Sequence, residues 1–407
     1  MPRLASLLPV ALAVVSLALV HCEDSEALGG AAGAGGADGR AGGAAGAGSS
    51  EGPGGAGAGA SQAGMSGSSG QGGAAGSFAA PYELVPLDKA RITSDPGQPN
   101  FQHVSAPFEL TGGPFAEVRV EVSLGTTCYP FESWKTNPPP EGQNFPADCD
   151  AFDRNFETIL DEPVQDGDRP GLEVIRAITP FGGPLTVSAD LTDLANLRPG
   201  DHTVHVRIPT WSDGEGKVSG SAGGWNVTVR IKATPGVAPR KVLAVEPLIN
   251  LTQETGVAPV VATWEVPAGT AQARIEYRAT GHGGGEPTTG CVGPAEEFCK
   301  RSHELQIDDG PPRHETPWRI DCKTLCQLTH YGPADGGFDY CLENPTGAVS
   351  SVKAPRANWC PGHETAPFLI EDEALRAAGT HTFTYAIPKQ APGGVWRLSA
   401  FYVAYGE

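Results

Sequence analysis

Methionine is nearly absent from this 407-residue chain: Met1 and Met65 are the only two, and none follows residue 81. That stretch therefore has no thioether for a soft copper site. Clustered cations are lacking too. The formal net charge is -19, and no basic run follows Arg3. This excludes a nucleic-acid binder held through phosphate contacts, and the acidity implies a soluble, self-repelling surface. No CxxC pair occurs, so neither a zinc ribbon nor a thioredoxin-like site is expected. A nucleophile elbow, a Gly-rich phosphate loop, HxH and HExxH are missing as well. The nearest pair of histidines is His202 and His205. On a strand, residues at i and i+3 point to opposite faces, so they make poor co-ligands. Neither a metal nor a cofactor is expected. Helical periodicity is scarce, and Glu371 to Ala378 is the one candidate for a short helix.

What is present begins with a charge-free apolar run, Leu4 to Val20, behind Arg3. It contains Pro9 and sits at the N-terminus, so residues 1–21 read as a signal peptide and not a spanning helix. The run ends Leu19-Val20-His21-Cys22, which resembles a bacterial lipobox despite His21. Cys22 is then a lipidation site, and the protein is exported and anchored to the bacterial envelope, or otherwise secreted. Residues 29–77 hold 21 Gly and 14 Ala among 49 positions. Such a stretch buries too little to offset its backbone entropy, so residues 22–80 should form a disordered tether. Roughly 55 flexible residues span about 40 Å, enough to lift a folded head off a membrane.

The chain has nine Cys, an odd number, and lipid on Cys22 leaves eight: Cys128, Cys149, Cys291, Cys299, Cys322, Cys326, Cys341 and Cys360. Eight thiols in an exported chain imply four disulfides, with 105 possible pairings.

Strand signals dominate from residue 101. Glu117 to Leu124, Thr203 to Ile208, Trp225 to Lys232, Ala273 to Arg278 and Thr382 to Ile387 alternate apolar with polar residues. Each is a strand with one buried face. Many short strands broken by Pro and Gly mean β-sandwiches, not a parallel sheet with crossover helices. Thr234-Pro235-Gly236-Val237-Ala238-Pro239 divides the foldable part into domains at about 81–236 and 237–407.

Four constellations can carry chemistry. Cys149-Asp150-Ala151-Phe152-Asp153-Arg154 sets two carboxylates and a guanidinium beside a half-cystine, where a disulfide to Cys128 would pin them. General-base catalysis needs such a pinned carboxylate, although a solvated Asp–Arg pair would look the same. Cys291 to Cys299 encloses Glu296 and Glu297 in a small loop, with His303 beyond. Arg356-Ala357-Asn358-Trp359-Cys360-Pro361-Gly362 puts a guanidinium beside an indole. That suits sugar or amide recognition, or else a core Trp with an Arg packed over it. Ile178-Thr179-Pro180-Phe181 and Pro209-Thr210-Trp211 read as strand ends at one rim.

Together these segments resemble the peptide-N-glycosidase F family. The likeness covers roughly residues 110–405 and is strongest at Arg356 to Gly362. It implies an all-β fold of two eight-stranded jelly rolls side by side with a cleft between them, an architecture shared with copper hydroxylases such as peptidylglycine hydroxylating monooxygenase. It implies hydrolysis of the glycan–asparagine amide of N-glycoproteins or glycopeptides by a monomer. By resemblance, Asp153 is the primary catalytic carboxylate and Glu297 its helper. Arg154, Arg356, Trp359, Trp211 and His282 would hold substrate. The implied bridges are Cys128–Cys149 and Cys291–Cys299, with Cys326–Cys341 inside Cys322–Cys360; Cys341–Cys360 with Cys322–Cys326 is the alternative. Departures are plain. Pro209 stands where the family has a second important Glu, and Thr280 where it has Trp. Phe152 and Phe298 replace Trp, the Cys128–Cys149 loop is longer, and the Cys322–Cys360 segment carries an insertion with two extra Cys. A non-catalytic glycoconjugate-binding surface lipoprotein is the alternative that Pro209 motivates, and a structural surface protein is a further one.

Overall fold

The structure is a computed structural model that describes residues 78–163, 170–284, 289–333 and 335–407. The expected signal peptide, Cys22 and nearly all of the expected tether lie outside the described residues. The described residues fall within one compact unit. None of their helices is long and apolar enough to cross a membrane.

The first half contains β1 (Tyr82–Thr93), β2 (His103–Leu110), β3 (Phe115–Gly125), β4 (Asn155–Leu160), β5 (Leu172–Ile178), β6 (Leu185–Asp190), β7 (Gly200–Arg207) and β8 (Gly224–Pro235). They form two four-stranded sheets, β1-β8-β3-β6 and β2-β7-β4-β5. The second half contains β9 (Val242–Glu254), β10 (Ala262–Val266), β11 (Gln272–His282), β12 (His303–Ile307), β13 (Arg313–Glu315), β14 (Leu328–Tyr331), β15 (Phe338–Cys341), β16 (Phe368–Ile370), β17 (Gly379–Ala386) and β18 (Val395–Tyr405). Its sheets are β10-β17-β12-β13 and β16-β11-β18-β9, and β14 and β15 make a separate hairpin. The fold is all-β, with eight strands in each of two sandwiches.

Alternation explains the sheets. On β3, Val118, Val120, Val122 and Leu124 are buried, while Glu117, Arg119 and Glu121 stay outside the core. On β8 the same period buries Trp225, Val227, Val229 and Ile231 completely. β5 breaks the pattern: all seven of its residues are buried. One face lies on its own core and the other against the second sandwich. Val245, Phe401, Val403 and Tyr405 of the second half join the first core, so the apolar packing is continuous.

The face shared by the sandwiches is charged. Arg397 of β18 donates two hydrogen bonds to Glu157 of β4, at 2.5 and 2.8 Å. Arg176 grips Glu173 at 2.7 and 2.5 Å and also donates to the carbonyl of Arg397. Arg278 donates to the carbonyls of Glu173 and Val174 at 3.3 and 3.4 Å. Burial raises the Glu157 carboxyl, but Arg397, Arg176 and Asn155 outweigh it and bring its pKa down to about 2.

The helix expected at Glu371 to Ala378 is only a 3-10 turn, Glu373–Arg376. The Asp372 carboxylate accepts from the N–H of Ala374 at 2.9 Å, and the chain enters β17 at Gly379. Four residues are too few for α-helical hydrogen bonding to repeat.

Candidate active site

Asp153 lies on the loop between the Cys128–Cys149 disulfide and β4. Thr179, at the end of β5, clamps this loop. Its N–H donates to the Arg154 carbonyl at 2.8 Å. Its hydroxyl donates to the Phe152 carbonyl at 3.1 Å and accepts from the N–H of Arg154 at 2.7 Å. Gly182, at φ +71°, passes so close to the cystine that a Cβ would sit 2.6 Å from the Cys128 sulfur. Only glycine meets both conditions. From the second half, the Thr346 hydroxyl reaches the carbonyls of Phe181 and Ala151 at 2.6 and 3.2 Å.

Glu297 sits on a 3-10 turn, Glu296–Phe298, inside the Cys291–Cys299 disulfide. Glu296 is the anchor. It is fully buried and accepts from Arg301 Nε at 2.8 Å, Trp396 Nε1 at 2.9 Å and the N–H of Ala391 at 3.0 Å. The N–H of Ala357 donates to the Glu297 carbonyl at 2.7 Å, which joins the two motifs through their backbones.

Arg356 is the hub. Its side chain is fully buried, yet Nη1 donates to Glu297 Oε1 at 3.3 Å and Nη2 lies 3.6 Å from Asp153 Oδ2. Nη2 also donates to the Ser351 carbonyl and hydroxyl, at 3.0 and 2.9 Å. The guanidinium is held between Phe298, 4.7 Å away, and Trp359, 4.5 Å away. Asn358 adopts φ 67°, a left-handed conformation that Asn tolerates better than most residues. Its Nδ2 donates to the Ala279 carbonyl at 2.9 Å. An acid from each sandwich thus meets one buried cation.

The two carboxyls are not fully enclosed: 21% of the Asp153 side chain and 23% of that of Glu297 remain exposed, so water reaches both. Burial still raises the Asp153 pKa, against the pull of Arg356 and Arg154. For Glu297, burial outweighs Arg356, and with the help of the Asp153 charge it lifts the pKa to about 7. The pair resists double ionisation and keeps a proton near neutrality.

The other expected contacts divide. Arg154 is committed to the buried Asp150, with Nε at 3.2 Å from both oxygens and Nη2 at 2.9 Å from one. Trp225 Nε1 also donates to Asp150 at 2.8 Å. Trp359 is 1% exposed and donates to the Gly281 carbonyl at 2.9 Å. Its rings pack on Arg356 and on His282, whose centroid is 5.6 Å away. No face of Trp359 is left for a sugar, so it stiffens the guanidinium instead. His282 bonds to the Thr280 hydroxyl at 2.8 Å. Burial and the nearby Arg176 hold its pKa down to about 3, so the imidazole is neutral. Phe152 and Trp211, 6.1 Å apart and both partly exposed, are the aromatic surface beside Asp153. Pro209 is exposed. Sequence reading missed Ser351 and Thr346, because a hydroxyl far along the chain carries no local signal. A cavity of about 300 Å³ opens elsewhere, lined by Leu172, Asp193, Arg240, Arg274 and Phe401 among others, and holds none of these groups.

The structure pairs Cys322 with Cys360 and Cys326 with Cys341. The outer bridge closes just behind Trp359, and the inner one staples the β14–β15 hairpin.

Two cystine-braced sandwiches that each supply a carboxyl to one guanidinium define a protein with a preformed, two-sided acid site. Residues 250–403 match the family model described as peptide-N-glycosidase F, C terminal. That span includes Glu297, Arg356 and Trp359 but not Asp153. The structure of PNGase F, a glycosylasparaginase from Flavobacterium meningosepticum, superposes with a TM-score of 0.57 and 17% identity, covering 80% of this chain and 96% of that one. A structure of peptide-N(4)-(N-acetyl-beta-D-glucosaminyl) asparagine amidase gives the same figures. The structure of PNGF-II gives a TM-score of 0.55 at 17% identity, with 80% and 66% covered. No curated protein matches the chain by sequence. The chain thus has the fold of the peptide-N-glycosidase F structures and resembles that family in sequence over residues 250–403.

Proposed function

We propose that the protein is an amidohydrolase that cleaves the glycan–asparagine amide of N-glycoproteins or glycopeptides. The observation that carries this reading is the meeting of Asp153 and Glu297, from separate sandwiches, at the buried Arg356. Asp153, flanked by two guanidinium groups, takes the proton of a water that attacks the amide carbonyl. Arg356, buried behind the two carboxyls, favours the oxyanion as it forms through its fixed positive charge and not by direct contact. Glu297, still protonated near neutrality, gives its proton to the departing nitrogen as the C–N bond breaks. The glycan leaves as a glycosylamine and the asparagine becomes aspartate. Phe152 and Trp211 offer a flat apolar face to a sugar ring.

Four disulfides are what a chain matured outside the reducing cytosol carries. On this reading the head works outside the cell on a lipid tether from Cys22, as a monomer formed of domains 81–236 and 237–407, without a cofactor.

The test is incubation with a denatured N-glycoprotein, read as released glycan and an Asn-to-Asp mass change. Asp153→Asn should lose at least about a hundredfold in rate, the scale of a general base, while still binding glycopeptide. Full activity in that variant rejects the mechanism. One observation favours a second reading: Pro209 brings no carboxylate to the rim. Glycan binding by the wild type without any hydrolysis selects a binding module on the same scaffold.

A further inference from the structure

Three ligand-bearing side chains converge away from the acid pair. His103 opens β2, His205 lies on β7 and Glu162 follows β4, and these strands are consecutive neighbours in one sheet. Across the β2–β7 pair, His103 faces Arg207 and His205 faces Ser105, which sets the two imidazoles on a diagonal. His103 Nε2 and His205 Nδ1 are 3.1 Å apart, with the rings inclined by 19°. Glu162 Oε2 lies 3.6 Å from the same His205 nitrogen. One ligand atom from each of the three falls within 4.8 Å of the others. His202 takes no part. It is buried and hydrogen-bonded to Asp161 and to the Arg198 carbonyl, both at 2.8 Å. The two histidines three residues apart are indeed poor co-ligands, but the partner of His205 stands 102 positions away in sequence.

We propose that His103, His205 and Glu162 bind a divalent transition-metal ion, with zinc the best match. Two imidazoles and a carboxylate are the donors zinc takes, leaving a position open to water. Zinc–nitrogen bonds of about 2.05 Å meeting near the tetrahedral angle hold their nitrogens about 3.3 Å apart, close to the spacing seen. The rings now face each other head-on, so each must rock outward to aim its lone pair at a shared ion. His103 lies on the edge strand β2 and His205 on its neighbour β7, both outside the apolar core and on the face opposite the buried Val204 and Val206, so such rocking disturbs no core. One cation already competes: Arg207 Nη2 is 2.7 Å from Glu162 Oε1. The Arg207 side chain is 48% exposed, so it can swing into water and yield the carboxylate. Bound metal would tie β2 and β7 to the chain leaving β4. The other group of potential ligands, Asp321, Cys322 and Cys360, has both sulfurs joined in a disulfide and offers no thiolate.

The test is calorimetric titration of the purified protein with Zn²⁺, supported by the visible bands of a Co²⁺ complex. One saturable site per chain is expected. His205→Ala, His103→Gln and Glu162→Gln should each weaken it by about tenfold or more, while Arg207→Gln should strengthen it. Circular dichroism checks that each variant is folded, and His103→Gln, at a strand end, serves if His205→Ala is not. Absence of saturable binding overturns the proposal. So does zinc binding that survives His103→Gln with His205→Ala, or that disappears in Asp153→Asn, which would put the ion in the acid cleft.

Discussion

Glu297→Gln should make the protein more stable at alkaline pH while impairing its chemistry. The Glu297 carboxyl, ordinarily near 4.5, is raised to about 7 by burial, against the pull of Arg356. The unfolded chain releases this proton near its ordinary pKa, whereas the folded protein holds it until about pH 7. Between those values the folded state binds more protons, so stability falls as pH rises, and the loss is complete above the folded pKa. At about 1.4 kcal/mol per unit the shift corresponds to about 3 kcal/mol. The side chain is 23% exposed, and solvent screening trims this to about 2–3 kcal/mol. Glutamine cannot ionise and so escapes the loss. The variant should match the wild type near pH 4.5 and exceed it by about 2–3 kcal/mol at pH 8. For a unit of roughly 330 residues, with about 0.7 kcal/mol/K of unfolding entropy, that is a rise of about 3–4 °C in Tm. Thermal and urea denaturation across the pH range measure it. A variant whose stability relative to wild type is the same at pH 4.5 and pH 8 refutes the argument.

The opposite sign governs Glu157, whose folded pKa is depressed to about 2. Its contribution, about 3 kcal/mol, is complete above about pH 4.5 and lost as pH falls towards 2. Glu157→Gln should flatten the acid limb of the stability profile, and an unchanged limb contradicts the assignment. Arg397→Ala strands Glu157 at the shared face and should cost about 3–5 kcal/mol, read by urea denaturation. Trp211→Ala should raise the KM for a glycopeptide several-fold with kcat little changed, the equivalent of about 1 kcal/mol of aromatic contact. A drop in kcat alone would deny it the sugar-facing role.

The alternating strands could be read directly, because a period of two survives in the sequence wherever one face is wet. β3, β8 and β17 follow it. β5 could not be read so, since a strand covered on both faces has no polar beat. Asp153, Glu297 and Arg356 were visible as chemistry-bearing groups beside cysteines, but their convergence was expected only from the family resemblance, because no local signal encodes contacts between residues 153, 297 and 356. The indole of Trp359 shows the limit most clearly. A Trp beside an Arg looks alike whether it faces a ligand or a core, and burial decided for the core. Arg154 was equally ambiguous until Asp150 proved to be its partner.

An acid pair drawn from two modules poses a registration problem: a slip of an ångström between them would pull the acids off their shared cation. Greasy surfaces slide, because apolar contact has no preferred alignment. The forked bonds of Arg397 on Glu157 and of Arg176 across to β18 behave instead like dowel pins, satisfied in one alignment and costly in any other. Such a protein should be hard to split, and its halves are expected to find each other only in the working register.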